Sequence, residues 1–142
     1  MKKSNSLNKI RKDIAFCDKY WTVLYGSYVN EDWIPERSDI DVSVITQIKD
    51  RQENLKIWSK LLEKKSLNYD LRIFELMPLY LQIEITKTYK VLFGDRLEIS
   101  EYFYQYWKIW KDMINRYESN QFHNLKEKLD FIENRKKILK SV

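Results

Sequence analysis

Two short apolar runs, Trp21–Tyr25 (WTVLY) and Ile40–Ile45 (IDVSVI), flank a polar stretch that opens with Gly26-Ser27 and closes with Asp39-Ile40-Asp41. This arrangement constrains the chain more than any other. Both runs are rich in β-branched and aromatic residues, and the second alternates, so both are predicted to be strands. Side chains at i and i+2 of a strand share a face, which puts Asp39 and Asp41 together with α-carbons about 6.5–7 Å apart. Unpaired like charges on one strand face repel. The pair makes physical sense when a cation sits between the carboxylates, and carboxylates together with substrate phosphates are the usual way a protein holds Mg²⁺.

The remaining periodicities fill in a sheet with helices. Leu7, Ile10, Ile14 and Cys17 recur at helical spacing over 5–19, and Leu55, Trp58, Leu61 and Leu62 mark a helix over 50–65. Tyr69–Leu76 (YDLRIFEL) is predicted as a strand, with Leu71 and Ile73 on one face and Asp70, Arg72 and Phe74 on the other. Pro78 suits the first turn of a helix through Ile83 and Ile85. Tyr89–Phe93 is a further strand, closed by the turn pair Gly94-Asp95. Beyond it, Phe103, Tyr106, Trp107, Trp110, Ile114 and Tyr117 form one amphipathic pattern, and Phe122, Leu125, Leu129, Ile132 and Leu139 a second. The expectation is two C-terminal helices, divided near His123, after an α/β core.

The chain has 142 residues, with only two glycines, two prolines and a single cysteine, Cys17. A length of this order builds one ordinary core. The lone cysteine excludes an intrachain disulfide and a cysteine zinc cluster. No apolar run approaches the roughly 18 residues of a membrane span, and no apolar segment follows the N-terminal lysines, so no membrane association and a cytoplasmic location are expected. The net charge of +5 is concentrated at the ends: residues 1–20 carry six Lys/Arg against two acids, and 121–142 six against three. Basic ends admit RNA or an acidic partner, although no motif reads RNA and a solvated helix face explains them as well.

Nucleotidyl transfer asks a protein mainly for positioning and charge neutralisation. Gly26-Ser27 offers backbone N–H groups to a triphosphate if Ser27 starts a helical turn. Asp39 and Asp41 supply a metal site, and Asp70, set among apolar strand residues where a lone charge is costly, is the candidate third carboxylate. Ser27 as a nucleophile is disfavoured, because the only histidine, His123, is far from it in sequence.

Gly-Ser, Ser-Asp-Ile-Asp and a later strand Asp resemble the DNA polymerase β-like nucleotidyltransferase superfamily. The short length looks most like its minimal nucleotidyltransferases, and the resemblance covers roughly residues 5–95. It implies an α/β (α+β) mixed sheet of about four strands flanked by helices, a nucleotidyltransferase core over 1–95 and a helical extension over 96–142 packed on the core or on a partner. It further implies ATP as substrate, a two-ion Mg²⁺ site held by Asp39, Asp41 and Asp70, and triphosphate binding by Gly26 and Ser27. Minimal nucleotidyltransferases are similar in being paired with an all-helical HEPN toxin, to a tyrosine of which they transfer AMP as the antitoxin. Family members often carry arginine and glycine shortly after Gly-Ser; here those places hold Asn30 and Glu31, leaving Arg37 or Arg72 as sources of positive charge. That departure keeps two alternatives in view: an antitoxin with a weakened site that neutralises by binding, and a transferase acting on RNA or a small molecule. The acceptor, the preferred nucleotide and any homo-oligomer are not read from the sequence.

Overall fold

The computed structural model describes residues 2–30, 39–66 and 68–140. Contacts divide the chain into two compact units, Met1–Tyr106 and Trp107–Val142. Glu31, Arg37 and Ser38, which figure in the sequence argument, lie outside the described residues.

The first unit is built on a four-stranded sheet. Its elements are α1 (Lys2–Asp13), β1 (Trp21–Tyr25), β2 (Ile40–Ile45), α2 (Arg51–Lys64), β3 (Tyr69–Ile73), α3 (Leu79–Lys87), β4 (Lys90–Phe93) and the opening of α4 (Arg96–Lys140). The strand order is β3-β2-β1-β4. β1 pairs antiparallel with β2 and β4, whereas β2 and β3 run parallel, so the sheet is mixed. The parallel pair is joined through α2, the kind of crossover a parallel connection requires.

Alternation along the strands creates two unequal faces. Leu24, Val42, Val44, Leu71, Ile73 and Leu92 turn to one side, where they are buried with Ile10, Ile14 and Cys17 from the N-terminal segment and Leu61 from α2. The other face is covered, among the described residues, toward one end. There Val23 and Ile45 pack with Phe74, Ile85, Ile99 and Phe103. Phe74 is fully buried, with its ring centroid 4.9 Å from those of both Phe103 and Tyr106.

Both edge strands carry side-chain donors on backbone carbonyls, which blunts edges that would otherwise invite pairing. Trp58 Nε1 donates to the Leu71 carbonyl (2.7 Å) and Lys65 Nζ to that of Tyr69 (3.0 Å) on β3. Arg11 Nε donates to the Leu92 carbonyl on β4 (3.2 Å). Asp50 caps α2 by accepting from the Gln52 N–H, and Asp95 caps α4 by accepting from those of Leu97 and Glu98.

Three local expectations change. The third strand ends at Ile73, because Phe74–Leu76 forms a 3-10 turn that swings Phe74 into the core and Glu75 back onto β2. The Glu75 carboxylate accepts from the N–H groups of Thr46 (3.1 Å) and Gln47 (2.9 Å) and from the Tyr102 hydroxyl (2.7 Å). The first helix stops at Asp13, and a 3-10 turn, Ala15–Cys17, carries the apolar face onward. Where two C-terminal helices are expected, one helix, α4, runs from Arg96 to Lys140. The polar stretch at 118–121 holds neither Gly nor Pro, so it interrupts the apolar stripe without breaking the helix.

In the second unit Met113, Tyr117, Phe122, Leu125, Leu129 and Ile132 are exposed. Phe74→Ala is therefore expected to cost about 3–5 kcal/mol, and Phe122→Ala less than about 0.5 kcal/mol, in urea unfolding followed by circular dichroism.

Candidate functional site

The open end of the second sheet face brings together Tyr25, Asp41 and Asp70. Asp41 is the register partner of Tyr25 on one side and of Asp70 on the other, so the three share a row across β1, β2 and β3. The next row is Val23, Ser43 and Arg72. Sequence alternation put Asp41 and Asp70 on strands; the sheet makes them immediate neighbours. Asp39 sits just ahead of β2, exposed, and close enough for its charge to act on Asp41.

Gly26 explains why the row is possible. Its φ of +75° is the left-handed conformation, and a Cβ added there would run into the Asp41 carboxylate. Only glycine satisfies both demands. The chain then turns through a 3-10 helix, Gly26–Tyr28, with the Val29 and Asn30 N–H groups returning to the Gly26 carbonyl (3.1 and 3.0 Å). Ser27 lies within this 3-10 turn rather than at the start of a longer helix, and Asn30 is exposed at its end.

The row is electrostatically strained. Burial, then the adjacent Asp70 charge, pushes Asp41 up to about 6, against the opposing pull of Arg72; a hydrogen bond with Asp70 adds to the rise. Burial, followed by the Asp41 charge, also holds the Tyr25 phenol above its ordinary value. Asp70 is partly compensated by Arg72, whose Nε lies 3.3 Å from Oδ2. Arg72 is the salt-bridge partner considered for Asp70 in the sequence, and here it stands on the same strand two residues on. Ser43, one row further in, is fully buried, and its hydroxyl has no hydrogen-bond partner among the described residues. Tyr25 and Ser43 were missed by sequence reasoning; their register with Asp41 follows only from strand pairing.

Among the described residues no three carboxylate, histidine or cysteine side chains are gathered so as to hold an ion by themselves. The donor chemistry nevertheless fits Mg²⁺. Two abutting carboxylates are hard oxygen donors, their mutual repulsion is what a cation relieves, and Mg²⁺ ordinarily takes one or two carboxylates and completes its shell with phosphates and water. His123 lies in α4, outside the unit that carries the row, and Cys17, buried with a thiol pushed up to about 12 by burial and then by Asp18, belongs to the core.

The mixed sheet thus carries two adjacent strand carboxylates beside a glycine-initiated turn. Residues 9–98 match the family model described as polymerase beta, nucleotidyltransferase. A candidate protein adenylyltransferase of Methanocaldococcus jannaschii is 47% identical over 107 residues, covering 75% of this chain and 82% of that protein. The chain therefore belongs to the polymerase β-like nucleotidyltransferase family. Among solved structures, a chain from a toxin–antitoxin with AMP-PNP superimposes with a TM-score of 0.56 at 22% identity, covering 75% of this chain and 88% of its own. A chain from the complex of tri-AMPylated Shewanella oneidensis HEPN toxin with MNT antitoxin gives 0.53 at 20% identity, over 80% and 89%. These likenesses establish the mixed-sheet nucleotidyltransferase fold. No helix among the described residues is long and apolar enough to cross a membrane.

The raised Asp41 has a consequence for stability. An acid whose folded pKa exceeds its unfolded value binds a proton more tightly when folded, so its contribution to stability grows as pH falls from about 6 toward 3.8, the ordinary value for this group. In metal-free buffer with chelator, Asp41→Asn is expected to unfold at a higher temperature than the parent at pH 7. The two melting temperatures should converge as pH is lowered to 4.5 in a calorimetric series. A variant less stable at pH 7 would show that Asp41 is not held under repulsion.

Proposed function

We propose that this chain transfers AMP from ATP to a hydroxyl of a protein acceptor, a tyrosine of a HEPN toxin, and acts as that toxin's antitoxin. The observation that carries the reading is the row itself: Asp41 lies between the Gly26 turn and a second strand carboxylate. The family assignment, the adenylyltransferase relative and the fold shared with toxin–antitoxin chains support it.

In this reading Gly26 and Ser27 seat the triphosphate, since glycine lets the backbone approach and the turn presents N–H groups. Asp39, Asp41 and Asp70 would hold Mg²⁺, which when bound supplies charge neutralisation of the phosphates and lowers the pKa of the attacking hydroxyl. In this reading the Asp70 carboxylate takes the acceptor's proton. The freed oxygen bonds to the α-phosphorus, the bond from that phosphorus to the bridging oxygen breaks, and pyrophosphate leaves with the electron pair. Arg72, paired with Asp70, orients that carboxylate and adds positive charge beside the reacting centre.

Labelled ATP, Mg²⁺ and a HEPN toxin proposed as the partner of this chain are expected to give label on the toxin. Asp41→Asn should reduce transfer about a thousandfold or more, because several kcal/mol of charge stabilisation are removed. Full transfer by Asp41→Asn would contradict the assignment. Unchanged neutralisation of the toxin by Asp41→Asn would instead favour inhibition by binding, the reading that Asn30 at the end of the Gly26 turn keeps in view.

A further inference from the structure

A concave site of about 430 Å³ opens beside Asp70, on the side of β3 away from Gly26. Leu55 and Trp58 from α2, with Leu76 and Met77 after β3, make its apolar wall. The Trp58 ring is fixed there by its bond to the Leu71 carbonyl. Asp70 forms part of the lining, with Arg72 and Arg51 as its cations. Arg51, at the start of α2, is exposed and forms no ion pair with another described residue.

The position of this site is informative because displacement at phosphorus is in line: the acceptor enters opposite the leaving group. The strand order fixes the axis. Asp41 is flanked by the Gly26 turn on the β1 side and by Asp70 on the β3 side. With pyrophosphate leaving toward Gly26, the acceptor must enter past Asp70, which is where the concave site lies. Its volume is within the ordinary range for small-ligand pockets, about 300–1,000 Å³.

We propose that this site is the acceptor subsite, that it receives an aromatic hydroxyl side chain against Trp58, and that Arg51 selects acceptors with acidic flanking residues. The proposal rests on the function proposed above and adds the residues that choose the acceptor. An aromatic occupant follows from the apolar and indole wall ending at a carboxylate, which matches a ring with a hydroxyl at its tip. An acidic flank follows from the exposed guanidinium at the rim, which forms no ion pair with another described residue, because guanidinium is suited to two-point pairing with carboxylate.

The test uses the whole chain and two synthetic peptides, Tyr flanked by Glu and Tyr flanked by Lys. Titrating the Glu-flanked peptide into ¹⁵N-labelled protein with Mg²⁺ and a non-hydrolysable ATP analogue is expected to shift the Trp58 indole N–H signal, and the Lys-flanked peptide is expected to bind at least about tenfold more weakly. Arg51→Glu, an exposed change compatible with folding, should reverse the order of the two peptides, in binding and in KM for labelled AMP transfer. No shift at Trp58, or an unchanged peptide order in Arg51→Glu, overturns the subsite even if AMP is transferred. Docking with the expected order but no transfer to any peptide or protein leaves the subsite standing and overturns the proposed activity instead.

Discussion

The approach of the Asp41 carboxylate to Gly26 is the contact on which the site depends. It requires a residue without a Cβ and with φ of +75° at the end of β1, so that the chain can turn sharply beside the carboxylate. Antiparallel pairing brings Tyr25 opposite Asp41, and parallel pairing brings Asp70 opposite it on the other side. One backbone turn, one central strand and one edge strand thereby align the Gly26 turn, the Asp41 carboxylate and the Asp70 carboxylate. Without the mixed sheet the same residues would be scattered over more than forty positions of sequence.

The two sheet faces divide the work. One is mainly apolar, with the Thr22 hydroxyl satisfied by the Cys17 and Tyr20 carbonyls, and is buried against α1 and α2, while Trp58 of α2 and Lys65 just after it reach the edge of β3. The other is covered, among the described residues, where Val23, Ile45, Phe74 and the opening of α4 meet. Its uncovered end keeps two carboxylates in contact, an arrangement that raises Asp41 and costs stability in the absence of a cation. The Glu75 carboxylate, by contrast, is satisfied by two backbone N–H groups and Tyr102, and it anchors the chain as it leaves β2. Charge is therefore paired where the fold needs rigidity and left crowded where chemistry is proposed.

The strands and their order of occurrence were legible because β-branched and aromatic runs of four to six residues sit between turn residues, and only two glycines compete for attention. Asp41 and Asp70 were legible as strand carboxylates, but their contact was not, since register is set by pairing across the sheet rather than by local pattern. The same limit hid Tyr25, Ser43 and the reach of Glu75 to Tyr102. Phe74 read as a strand residue because its neighbours alternate; a 3-10 turn took it into the core instead. At 118–121 a polar gap in the stripe read as a helix end, yet a helix needs a breaker to stop, and none is present.

The central claim is that the Gly26 turn and the Asp41–Asp70 row form one seat for nucleotide and divalent cation. Paramagnetic broadening of backbone amide signals by Mn²⁺ in the presence of a non-hydrolysable ATP analogue measures this most directly. The expected result is selective loss of signals at Gly26, Ser27, Asp39, Asp41 and Asp70, abolished by Gly26→Ala together with Asp41→Asn. Broadening centred elsewhere, or unchanged in that double variant, would contradict the account.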